Sequence, residues 1–229
     1  MKTLAMPKAT RAAMIRWLGW GGLALAGIGY WGPWVGHKAA ALVLLGLDLG
    51  EFVKFLPQVR SGALGLQREV FYLPAIALSL MVTATAYRRY TGLGRKARCV
   101  LSAIAISVAL AMLPPAWTPT LLQTAEFRLQ TGIITACVLL ALTGPIWCRL
   151  PHDLLGGATI AMAMLAAIVP LWQFVRVLPA IQIAYGRPPT IGWGPVVMVV
   201  GWLLCVAAES IRLAQPQRVG TKSSLCLAM

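Results

Sequence analysis

Leu155–Val175 reads LGGATIAMAMLAAIVPLWQFV, a run with no charged side chain that decides the class of this protein. A hydrocarbon core of about 30 Å is crossed by about 20 helical residues, with a working range of about 17–25. Working outward, five further stretches have the same character: Ala12–Trp31, Val70–Tyr87, Cys99–Trp117, Leu129–Trp147 and Trp193–Leu213. The reading is an all-α fold, a polytopic helical membrane bundle of about six transmembrane helices.

Composition agrees. Hydrophobic residues make up 59% of the 229 and charged residues 11%, against about 25% charged in a typical soluble domain. One integral membrane domain accounts for the whole length, residues 1–229. The formal net charge of +14 would suit nucleic acid only if the basic residues formed a solvated face. They sit instead in short segments between apolar runs, which is a topological signal, and no nucleic-acid partner is expected.

Short cytoplasmic loops carry the excess of Lys and Arg. The densest run is Arg88-Arg89-Tyr90-Thr91-Gly92-Leu93-Gly94-Arg95-Lys96-Ala97-Arg98. Placing it inside also places inside Lys2, Lys8, Arg11, Arg16, Arg149, Arg212, Arg218 and Lys222, and both termini with them. Lys38, Lys54, Arg60, Arg68, Arg128, Arg176 and Arg187 then fall outside. The expected location is a bacterial inner or plasma membrane, with residues 214–229 as a cytoplasmic tail.

Ala39–Leu56 is also apolar, but it contains Asp48, Glu51 and Lys54. Each charge near a helix centre costs about 2.5–3.5 kcal/mol on insertion scales. On a helical wheel Leu49, Phe52, Val53 and Leu56 share one face, and the three charges share the other. Residues 32–69 are therefore expected to form an extracytoplasmic loop, with a non-spanning amphipathic helix near Leu44–Leu56. The first apolar run is followed by no small-x-small cleavage site before Trp31 and Trp34, so it is expected to be a retained anchor. Trp17, Trp20 and Trp147 are expected at the inner interface, and Trp31, Trp34, Trp117 and Trp193 at the outer one.

No catalytic or metal signature is present. The cysteines (Cys99, Cys137, Cys148, Cys205 and Cys226) form no framework, and the Cys226-Leu227-Ala228-Met229 ending is a short formal match to a lipidation pattern. His37 and His152 fall on opposite sides, so no haem, copper or zinc site is expected. There is no phosphate loop, nucleophile elbow or zinc-protease helix motif.

The polar residues gather outside the spans. Asp48, Glu51, Glu69 and Glu126, accompanied by Arg60, Arg68, Arg128, Arg176 and Arg187, are candidate contacts for an extracytoplasmic partner or a solute. Asp48 and Glu51 would serve acid–base chemistry only if buried together. Within the spans Glu209 is expected to pair with Arg212. Gly22 and Ala26 share a small face suited to close helix approach, and Pro170 is expected to kink the fifth span.

Six short spans with both termini inside are similar, in size and topology, to the substrate-binding components of energy-coupling-factor vitamin transporters. Three functions follow as expectations. The first is a non-catalytic integral subunit or assembly factor of a larger membrane complex, with the bilayer and other membrane subunits as partners. The second is a small-solute permease or binding component, which the resemblance implies. The third is an interfacial lipid-acting enzyme.

Overall fold

The computed structural model describes residues 8–37, 43–88, 91–114, 117–147, 149–186 and 188–215. Outside them lie Lys2, Lys38, Arg89, Cys148, Arg187, Arg218, Lys222, Cys226 and nearly all of the expected tail. In chain order the elements are α1 (Lys8–Tyr30), β1 (Pro33–Gly36), β2 (Leu44–Leu45), α2 (Leu49–Phe52) and α3 (Pro57–Arg60). There follow α4 (Leu73–Tyr87), α5 (Arg95–Leu110), α6 (Pro119–Leu122), α7 (Arg128–Leu142), α8 (Gly144–Trp147), α9 (His152–Tyr185), β3 (Thr190–Ile191) and α10 (Gly194–Leu213). A 3-10 turn, Val53–Phe55, continues α2, and another, Arg68–Tyr72, leads into α4.

The protein is mostly helical, and three helical stretches are long and apolar enough to cross a membrane: Arg68–Tyr87, α9 and α10. The first is central, with 72% of its apolar window buried in the bundle, against 33% for α9 and 39% for α10. Two expected spans are shorter than hydropathy implies. The third ends at Leu110, ahead of Pro114, giving α5 16 residues. The fourth ends at Leu142 and restarts as α8 around Pro145, giving α7 15 residues. Proline lacks the donor that a continuing helix needs, and hydropathy does not register that.

α1 and α10 are joined along a glycine seam. A Cβ on Gly29 would lie 2.1 Å from the Met198 nitrogen, and one on Gly201 would lie 2.2 Å from the Ala26 nitrogen. The backbones therefore approach as only hydrogen-sized side chains allow. The small face of Gly22 and Ala26 is the α1 half of this seam. Trp202 is buried in the bundle, at 1% exposure.

A cap covers one end, and it is not all helical. β1 pairs antiparallel with both β2 and β3, giving the order β2-β1-β3. The expected helix near Leu44–Leu56 is therefore corrected. Leu44–Leu45 is strand, and the helical part runs only from Leu49 to Phe55, too short to cross. Its faces divide as the wheel predicts: Leu49, Val53 and Leu56 are buried, while Glu51 and Lys54 keep partial exposure. Trp34, expected at the bilayer surface, is buried, donates to the Gly29 carbonyl at 3.2 Å and meets Phe174 edge-on at 5.1 Å.

The helix over the expected fifth span is longer than that expectation, because α9 runs on through Val177–Tyr185. Pro170 and Pro179 lie inside an uninterrupted helix. It stops where Gly186 takes φ +65°, a left-handed conformation that glycine adopts without a Cβ penalty. The extension forms a wall of the cap, with Tyr185 edge-on to His37 at 5.5 Å and to Phe52 at 6.1 Å.

Candidate functional site: an ion cluster beneath the cap

Arg68 is the centre of the polar residues at the cap end. The 3-10 turn before α4 points its guanidinium inward, where the side chain is only 10% exposed. Buried cations require a full set of acceptors, since an unpaired ion in a low-dielectric site is very costly. Arg68 finds them on three segments. Its Nε donates to Glu69 Oε1 at 3.2 Å, and Nη1 donates to Glu51 Oε1 at 3.3 Å. Its Nη2 donates to the Glu126 carbonyl at 2.6 Å and to Gln130 Oε1 at 3.2 Å.

The neighbours extend the network. Tyr72 Oη donates to Glu51 Oε1 at 3.0 Å. Lys54 Nζ lies 2.7 Å from Glu51 Oε2 and 3.2 Å from Glu126 Oε1. Gln130, buried on α7, donates through Nε2 to the Met112 carbonyl just past α5. Both cations also sit over the Phe127 ring, Arg68 at 4.7 Å and Lys54 at 5.1 Å from its centroid, where the negative π-face attracts them. Burial acts to lower the Lys54 pKa, but hydrogen bonds to Glu51 and Glu126 outweigh it and leave the pKa above its ordinary value.

Of the sequence-predicted residues, Glu51, Glu69 and Glu126 converge here. Asp48 does not: it is exposed and accepts from the Leu45 amide at 3.3 Å, holding the turn before α2. Asp48 and Glu51 are therefore not an acid–base pair. Arg128 is exposed at the start of α7, and Arg176 is exposed on α9, donating to Gln173 Oε1 at 3.3 Å. Each carboxylate in the cluster is bound to a cation, which suits cross-bracing better than proton transfer. Among the described residues, no group of three or more His, Cys, Asp or Glu side chains converges as metal ligands would.

A second ion cluster lies at the opposite end of α4. Arg88, read from sequence as one of a run of loop charges, turns into the bundle and is 5% exposed. Its Nη1 donates to both Glu209 carboxylate oxygens at 2.6 Å, and Nη2 donates to Thr159 Oγ1 at 2.8 Å and to the Leu155 carbonyl at 3.4 Å. Arg212 pairs with Glu209 from one turn along α10. Arg88, closing α4, thus ties α9 and α10 together through one guanidinium. The available signal was depth: Glu209 is the one acidic residue of the last span, and Arg88 closes another span at the same expected level.

Compared with protein-family models, curated proteins and solved structures, the chain matches none.

Proposed function

We propose that this chain is a non-catalytic integral subunit or assembly component of a larger membrane complex. It crosses the bilayer six times with both termini cytoplasmic, and the cap lies on the extracytoplasmic side. The observation that carries the partner reading is the outer face of α9. Leu154, Leu165, Ile168, Trp172, Val175 and Ile183 are each more than half exposed and fall on one helix stripe, at separations of 11, 3, 4, 3 and 8 residues.

This stripe is longer than lipid covers. From Leu154 to Ile183 it runs about 44 Å at 1.5 Å rise, against a hydrocarbon core of about 30 Å. Fitting it entirely inside would take a tilt of roughly 46°, beyond the observed range of about 0–40°. An apolar stripe outside the hydrocarbon calls for a protein cover. The ion clusters favour this reading over a permease, because their charges are neutralised within the chain.

Blue-native electrophoresis of mild-detergent membranes, with mass spectrometry of the co-migrating bands, tests it. The chain should run in one discrete assembly above its own mass, and Ile183→Glu should release it while membrane insertion persists. Migration as a lone chain, unchanged by that substitution, would overturn the proposal.

A further inference from the structure

The charged residues at the end away from the cap are not all neutralised. α5 opens with Arg95, Lys96 and Arg98, with no acidic residue in its first turn and no side-chain cap from Gly94. Glu209 is bound by Arg88 and Arg212, and Asp153 lies against His152. Among the described residues, no carboxylate comes within ion-pair distance of Arg95, Lys96 or Arg98. Three cations also stand at the positive end of a helix dipole, an arrangement that a nearby anion relieves.

Directly along the helix from Lys96, at four-residue intervals, come Val100 and Ile104. They are 59% and 46% exposed, and Leu110 further on is 45% exposed. Lys96 therefore stands directly above an apolar face, with Arg95 and Arg98 further round the same first turn, the order of an anionic headgroup above its acyl chain. Arg98 is held at the rim, over the Tyr87 ring at 5.9 Å, while Tyr87 packs against Gly144. The basic turn is therefore fixed to the bundle and does not trail from it.

From this juxtaposition we infer that the outer face of α5 binds an anionic phospholipid. Lys96, with Arg95 beside it, holds its phosphate, Arg98 adds positive charge at the rim, and Val100 and Ile104 lie along an acyl chain. Charge selects the occupant: a zwitterionic lipid brings a compensating ammonium, whereas phosphatidylglycerol or cardiolipin brings net negative charge. The inference rests on the bilayer placement proposed above, but on neither the partner nor the sidedness.

The test uses the full chain, purified from membranes in mild detergent and offered equal amounts of phosphatidylglycerol and phosphatidylcholine. Retained lipid is read by native mass spectrometry. A basic residue at a membrane surface gains about fivefold for anionic lipid, so the native chain should favour phosphatidylglycerol by about tenfold or more. R95Q/K96Q/R98Q should bring the ratio to within about twofold, while R11Q/R16Q on α1 should keep it. Millimolar glycerol phosphate, a headgroup without chains, should not displace the lipid.

Equal retention of both lipids by the native chain would overturn the inference, as would a preference that survives the triple substitution. Displacement by glycerol phosphate would overturn it in favour of a free-phosphate site. Loss of an acidic co-purifying protein in the triple variant, with lipid unchanged, would overturn it in favour of a protein contact. Recovery of the chain in the soluble fraction would mark failure of the bilayer placement itself, which is a separate result.

Discussion

Arg68 and Arg88 stand at the two ends of the same central helical stretch, and the two ends are held in different ways. At the cap, Arg68 gathers Glu69, Glu51, Glu126 and Gln130, and the outermost of these, Glu126, keeps 54% of its side chain exposed. At the other end, Arg88 meets Glu209 across 121 residues of sequence with both side chains under a tenth exposed. Water shares the first cluster and is largely excluded from the second. Exposed pairs are worth about 0–1 kcal/mol, whereas breaking a buried pair costs about 3–5 kcal/mol. The basic end should therefore be the rigid clamp, and the cap the graded, adjustable end.

The largest effect should come from Glu209→Ala, which leaves Arg88 and Arg212 facing each other without a carboxylate. A loss of about 3–5 kcal/mol is expected, read as a fall in thermal midpoint in detergent. The triple change Arg88→Met, Glu209→Leu and Arg212→Met should recover much of it, since apolar side chains of similar volume leave no charge without its carboxylate. A midpoint unaltered by Glu209→Ala would break the contrast between the two ends.

Arg68→Ala should come next, at about 3 kcal/mol, because it strands Glu69 in partial burial and takes the donor from the Glu126 carbonyl and Gln130. Detachment of the cap ahead of the bundle, seen as early protease cleavage within residues 43–67, would sharpen the comparison. Simultaneous loss of both would contradict it. Gly201→Leu tests packing alone and should cost about 1–3 kcal/mol by forcing α10 off α1, measured by the same midpoint.

Lys54→Ala should have the smallest effect, below about 1 kcal/mol, since both of its ion pairs reach water. Its pH dependence has a definite sign. Glu51 and Glu126 raise the folded-state pKa of Lys54 above its ordinary value of 10.5, so its contribution is complete below that value. It is lost as pH rises through the folded-state pKa. Equal stability of native and K54A protein at neutral pH and in strong alkali would remove Lys54 from the cluster.

Much of this was legible in the sequence, for identifiable reasons. Apolar run length located the central stretch, α9 and α10, because burial of helical backbone leaves a compositional trace. The Glu51, Glu69 and Glu126 grouping was legible because all three lie in polar segments on one expected side. The strands of the cap were not: β1 pairs with a segment more than 150 residues away, and Pro33-Trp34-Val35-Gly36 carries no alternation long enough to read. Arg88 was missed because charge counting treats every basic residue near a span end as a loop charge. The length of α9 was missed because Arg176 resembled a span end, although helix formers continue to Tyr185.

The central claim is that a protein covers the α9 stripe beyond the hydrocarbon. A photo-crosslinking side chain at Ile183, activated in native membranes, tests it most directly. One discrete adduct of higher mass containing a second polypeptide is expected, with the same partner captured from Ile168. Adducts to lipid alone at Ile183, or none at all, would contradict it.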